Sequence, residues 1–319
     1  MKFVKKRIPN KPLISLDHTF RSGQCFRWGR YSETGEFFFG EKDDDGFWEG
    51  IVYAIPMRLM SDDKYIYYES PVDRVYVPQL GQKLGIEDFI KFYLRMDAPL
   101  SQIYSKISKD KYIKNAIRRY FGLTILRQDP YETLISYMIS PQNSVEKIAQ
   151  KLNEISINLG KFYKFKGKKF PVFPSPDRFL EKSEIFMDKS LKLRFGVKQK
   201  ENILSVVRLI TSEKFKPELL FGRPYQEIIR ILIQFKGIGR KIADCVALFS
   251  LDKLEAVPLD VHVKRITEKL YSSILGEKPR GMNEYEFIGN FWRHYFGRYA
   301  GFAQEFLYIS SRDGVLLSL

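Results

Sequence analysis

The chain has 319 residues, 44% of them hydrophobic and 15% aromatic, enough for a sizeable core and two or three structural units. Lysine and arginine number 53 against 38 acids, and the net charge of +15 points to a polyanionic partner. No apolar run of about 18 residues suggests a membrane span. The two cysteines, Cys25 and Cys245, make no disulfide framework and are too few for a four-cysteine iron–sulfur cluster, and His18, His262 and His294 lack metal-ligand spacing.

The first residues, MKFVKKRIPNK, are charged without an apolar h-region, so they read as a solvated arm and not as a signal peptide. From 12 to about 80 the chain reads as strands and turns: Phe37 to Gly40, Phe47 to Tyr53 and Tyr65 to Tyr68 are aromatic or β-branched runs broken by Gly and Asp. Lys42 to Gly46 reads as a turn, without the spaced ligands of a calcium loop. From Ile86 onward, DFIKFYLRM, QIYSKI and KNAIRRYFG carry apolar residues at helical spacing. Asp129 and Pro130 mark a sharp helix start, as cap and first residue. Residues 161–169 are basic with interleaved aromatics, read either as a loop against a nucleic-acid backbone or as a solvated insertion.

Gln226 to Gln234 predicts a helix, followed by Gly237-Ile238-Gly239 and a second helix from about Arg240 to Phe249. Two glycines before an open helix N-terminus suit a phosphate oxygen, although a plain glycine-capped corner has the same pattern. Lys241 follows within the first turn, with Cys245 four residues on and on the same face. A lysine amine is a nucleophile when neutral, and desolvation or a neighbouring cation such as Arg240 favours that form; a surface lysine contacting phosphate is the bland alternative. Asp260 precedes a helix-like VHVKRITEKL, where it is a good N-cap and a carboxylate placed to stabilise positive charge on a sugar ring. A phosphate cradle, an amine and a carboxylate in this order suggest cleavage of the base–sugar bond of DNA.

Four blocks make the pattern specific: SGQCFRW (Ser22 to Trp28), LRQDPYETLISYMISPQNSVEKI, GIGRKIADCVALFSLDKLEAVPLDVH and GRYAGFAQEFLY (Gly297 to Tyr308). In this order they resemble the 8-oxoguanine DNA glycosylase/lyase family of the helix-hairpin-helix superfamily. The resemblance, with the residue patterns, implies an α+β fold. An N-terminal antiparallel-sheet domain (1–125) would lead into a mostly helical domain (126–319) with its hairpin near 226–249. It implies Lys241 as nucleophile and Asp260 as electrostatic partner. The Gly23 carbonyl would read the N7–H of the lesion, Gln304 its Watson–Crick edge, and Tyr308 and Cys245 its two faces. Gly237, Gly239, His262, Gln142, Asn143, Lys147 and Lys200 would contact DNA. The expected partner is double-stranded DNA containing oxidised guanine. The chain is expected to act as a monomer, inside the cell and with the DNA, using no cofactor, metal or membrane.

The departures from the family lie where the opposite strand would pass. Gln142 takes an asparagine position, Lys147 and Lys200 take two arginine positions, and Gln199 sits where the family has a tyrosine wedge. Two rivals share parts of this pattern. One is an alkylbase or adenine glycosylase of the same superfamily, against which Lys241 and SGQCFRW argue. The other is a non-catalytic hairpin module that holds DNA, which leaves Lys241 and Asp260 together unexplained.

Overall fold

The computed structural model describes residues 4–188 and 196–315. Six strands form the first layer: β1 (Val4–Pro9), β2 (Trp28–Tyr31), β3 (Phe37–Phe39), β4 (Trp48–Val52), β5 (Ile55–Ser61) and β6 (Tyr65–Ser70). Their spatial order is β1-β6-β5-β4-β2-β3, with every neighbouring pair antiparallel. The expected solvated arm is corrected here, because residues 4–9 are an edge strand. Ile8 faces Ile66 in the register and is buried, while Arg7 lies over the Tyr65 ring at 4.1 Å. Exposed Lys6 fits an edge, where charge blunts further pairing.

Helix α1 (Leu16–Arg21) packs Phe20 on Trp28, with stacked rings 4.2 Å apart. A ribbon of β7 (Arg74–Val77) and β8 (Gln82–Gly85) then leads into α2 (Ile86–Tyr93), α3 (Leu100–Ile107) and α4 (Lys111–Arg119). Helix α5 (Pro130–Ile139) starts as expected, with the Asp129 carboxylate accepting from the Glu132 N–H at 2.9 Å. Helix α6 (Val145–Leu159) follows and ends at a hairpin, β9 (Lys161–Phe165) and β10 (Lys168–Val172).

That hairpin replaces the basic loop read from sequence. Phe165 and Phe170 are buried with Tyr31 and Ile51 in a small second core. Lys168 pairs with buried Glu49 at 2.8 Å and Lys166 with buried Glu69 at 2.7 Å, leaving Lys161, Lys164 and Lys169 exposed. Two of its cations therefore join Arg58, which pairs with both acids, in neutralising buried sheet carboxylates.

The remaining helices are α7 (Pro176–Glu181), α8 (Ser183–Met187), α9 (Val197–Thr211), α10 (Tyr225–Leu232), α11 (Arg240–Ser250), α12 (Val261–Leu275), α13 (Glu284–Phe296) and α14 (Ala300–Arg312). Buried α5 packs against α11, and α14 packs against α3, α4, α12 and α13. The Tyr104 and Phe306 rings meet edge to face at 5.4 Å, so α3 joins the helical core although it precedes residue 125. No helix among the described residues is long and apolar enough to cross a membrane.

Candidate active site

The turn between α10 and α11 uses its two glycines differently. Gly237 has φ +86°, a backbone state that side chains resist, and a Cβ there would meet the Asn202 amide nitrogen at 2.8 Å. Gly239 is ordinary extended backbone at φ −85°. Its part is to be bare. As N-cap it offers no side-chain acceptor, and space beside it is open, so the first N–H groups of α11 face outward for an anion.

Beneath the turn lies a buried polar anchor not anticipated from sequence. Asp244 accepts from the Tyr225 hydroxyl at 2.6 Å and the Tyr285 hydroxyl at 2.7 Å, which joins α10, α11 and α13. Arg240 donates to the Tyr225 hydroxyl at 3.3 Å and stands 3.6 Å from Asp244. Burial raises the pKa of Asp244, and its two phenol donors and two nearby guanidiniums, Arg240 and Arg293, pull the other way.

A cleft of about 820 Å³ opens beside the turn and gathers Gly23, Lys241, Cys245, Asp260, His262, Gln304 and Tyr308. The Lys241 ammonium donates to Ser140 Oγ at 3.1 Å and sits 5.3 Å from the centre of the Tyr137 ring. Ser140 gives its own proton to the Tyr137 carbonyl at 2.8 Å, so it acts as acceptor toward Lys241. Tyr137 stacks on Phe249 and meets Phe26 edge to face, which makes an apolar floor under the amine. Asp260 caps α12 by accepting from the Val263 N–H at 2.9 Å, and it is only half-buried.

The base-facing candidates come from both ends of the chain. Gly23 has φ +103°, and a Cβ there would stand 3.1 Å from Tyr308 Cε1 and 3.2 Å from an Arg312 nitrogen. The loop is held by its neighbour. The Gln24 amide donates to the Ser22 hydroxyl and the Thr124 carbonyl, and its oxygen accepts from the Leu126 N–H at 2.8 Å. Across the cleft, Gln304 is buried and its Oε1 has no hydrogen-bond partner among the described residues. Tyr308 meets His262 edge to face at 6.1 Å, and His262 is exposed at the rim. Burial pushes the Cys245 thiol up to about 12, against the opposing pull of Lys241, so it faces the cleft as a neutral group.

The opposite-strand candidates separate. Gln142 is exposed at φ +61° and lines the cleft. Asn143 also lines it, but its amide N–H groups donate to the Ile139 and Pro141 carbonyls, both at 2.9 Å. Lys147 is exposed on the first turn of α6. Lys200 is not at the cleft. It is 4% exposed, and its ammonium donates to the Asp188 carbonyl at 3.0 Å. Burial lowers its pKa, and its position beside Phe186 explains why a lysine read as DNA-facing turns inward. Gln199 donates to the Met138 carbonyl at 2.9 Å and ties α9 to α5. Glu305 on α14, with no expected role, also lines the cleft.

The family model for the 8-oxoguanine DNA glycosylase N-terminal domain matches residues 7–134. The chain is 29% identical over 311 residues to the N-glycosylase/DNA lyase OGG1 of Arabidopsis thaliana, covering 93% of this chain and 77% of that one. To the N-glycosylase/DNA lyase of Saccharomyces cerevisiae it is 26% identical, covering 85% and 71%. The 8-oxoguanine glycosylase/lyase of Clostridium acetobutylicum, solved with DNA containing cytosine opposite 8-oxoguanine, superposes at TM-score 0.78 and 25% identity over 98% of both chains. Together these likenesses, which extend over nearly the whole chain, support the 8-oxoguanine DNA glycosylase/lyase family of the helix-hairpin-helix superfamily.

Proposed function

We propose that this protein is a bifunctional DNA glycosylase and abasic-site lyase that excises 8-oxoguanine from duplex DNA in base excision repair. One observation carries the reading. The Lys241 amine, the Asp260 carboxylate and the bare N-terminus of α11 border one cleft, whose lining also includes Gly23 and the unpaired buried amide oxygen of Gln304.

The target base is unreachable inside a duplex, so it must be flipped into the cleft. The hairpin N–H groups hold a backbone phosphate. Lys241, once deprotonated, attacks the sugar C1′, and the bond to the base breaks with its electron pair leaving on the base. Asp260 stabilises the positive charge that develops on the sugar. The attached amine then opens the ring to a Schiff base, and loss of a C2′ proton expels the 3′ phosphate by β-elimination. The Gly23 carbonyl accepts the N7–H of 8-oxoguanine and repels the lone pair of guanine at the same atom. An unmet polar contact of this kind costs roughly 1–3 kcal/mol.

Borohydride reduction tests the reading. Wild type should be trapped covalently on duplex DNA containing 8-oxoguanine, and Lys241→Gln should bind that DNA without being trapped. Equal trapping of the variant would remove Lys241 as nucleophile. Binding without excision by wild type would leave a DNA-holding module.

A further inference from the structure

Glu305 is the least expected side chain in the cleft. It is 1% exposed, and its Oε1 has no hydrogen-bond partner among the described residues. The groups around it are otherwise engaged. The Ser22 hydroxyl is divided between this carboxyl and the Thr19 carbonyl, 3.1 Å away, and the Arg312 guanidinium donates to the Arg21 carbonyl. Cys25, Tyr137, Cys245, Asp260 and Tyr308 are the other titratable groups near enough to couple with it.

A buried carboxyl with one oxygen left unpaired is destabilising, so its retention needs a reason beyond packing. The adjacent Gln304 Oε1 is also buried and unpartnered, so two neighbouring residues of α14 bring unpaired acceptors to one cleft. Two unpaired acceptors call for a ligand rich in N–H donors. An oxidised guanine offers N1–H, an exocyclic amino group and N7–H.

We propose that Glu305 is a second specificity residue, whose carboxylate accepts an N–H of the flipped oxidised purine. This rests on the functional reading above. Burial raises the acid to about 7, while the Ser22 hydroxyl and Arg312 act the other way, so it changes charge within the working range. The ionised form is the better acceptor, and base excision should therefore rise with pH through that value.

The experiment compares wild type, Glu305→Gln and Glu305→Ala in single-turnover excision of 8-oxoguanine from about pH 5.5 to 8.5. Strand cleavage at a preformed abasic site, which has no base to read, is measured in parallel. Loss of one hydrogen bond to a charged group should slow excision by Glu305→Ala at least about tenfold. Abasic-site cleavage should stay within about twofold. Glu305→Gln keeps an amide oxygen of the same reach. It should recover most of the excision rate and lose the rise near pH 7. Wild-type excision rates in Glu305→Ala would overturn the proposal. So would a parallel loss of both activities and of melting temperature, which is the mark of a structural residue. A wild type that excises no oxidised base overturns the functional reading itself, a result distinct from either.

Discussion

The Lys241 ammonium and the Ser140 hydroxyl, 101 residues apart in sequence, meet at 3.1 Å where α11 passes the end of α5. Because Ser140 spends its proton on the Tyr137 carbonyl, it can only accept from the lysine, and it fixes where the amine points. Ser140→Ala removes that acceptor. A net hydrogen bond is worth roughly 1 kcal/mol, so excision should slow by about five- to tenfold. Borohydride trapping should persist with normal final yield. An unchanged rate would show that the cleft walls alone orient the amine.

Asp260 carries two functions that can be separated. Its carboxylate caps α12, and asparagine caps nearly as well. Asp260→Asn should therefore melt close to wild type while excision slows by more than about tenfold, over roughly 1.4 kcal/mol. Asp260→Ala should also lose about 1 kcal/mol of stability. Calorimetry beside single-turnover kinetics checks both. If Asp260→Asn lost stability and activity together, the residue would be structural.

Gly23→Ala would place a methyl 3.1 Å from Tyr308 in a backbone state that side chains rarely adopt. Such strain costs about 1–3 kcal/mol. The crowding falls on the base pocket and not on Lys241. Excision of 8-oxoguanine should fall by more than about tenfold, while cleavage at a preformed abasic site should be largely retained. Equal loss of both activities would count against a base-reading role for this loop.

Opposite-base choice should be loose. Lys200 is turned inward, leaving Gln142 and Lys147 as the exposed candidates. A lysine is a point charge on a flexible stem and lacks the planar fork with which arginine meets two acceptors. Gln142 is one methylene longer than asparagine, so its carbonyl is less firmly placed. Excision rates for 8-oxoguanine opposite C, A, G and T should differ modestly. A cytosine preference above about a hundredfold, near 2.7 kcal/mol, would mean that other residues read that base.

Stability should carry a pH signature of Glu305. Its folded-state pKa is raised by burial to about 7 from an ordinary 4.5. Between those values the native protein keeps a proton that the unfolded chain has released, so this group's contribution falls as pH rises across the window. Glu305→Gln has no such ionisation. The melting temperature of the variant relative to wild type should increase from about pH 4.5 to 7 and level off above. A constant difference would place the carboxyl in a more polar setting.

Much of the site was legible because its residues obey local rules. Asp129 before Pro130, Asp260 before VHV and the two hairpin glycines are punctuation that needs no tertiary context. Partners distant in sequence were harder to read. The strand at residues 4–9 is rich in lysine and becomes a strand only because Tyr65 to Ser70 lies beside it. The hairpin lysines looked solvated because Glu49 and Glu69, which they pair with, lie about a hundred residues earlier. Lys200 gave no local sign that its head would find a carbonyl. Glu305 did leave a trace: its helical neighbours Gly301, Phe302, Tyr308 and Ile309 are all apolar or small, which is an odd setting for a solvated acid.

The Gln24 side chain bonds the loop that carries Gly23 to the backbone of Thr124 and Leu126, and the Gln24 carbonyl accepts from Gln128 and Tyr137. The tip that would judge the base is thereby stitched to the segment that launches the helical half. Selectivity is then not portable. A transplant of the helical half alone would carry the blade without the gauge, and it would cut abasic sugar while losing its sense of which base to remove.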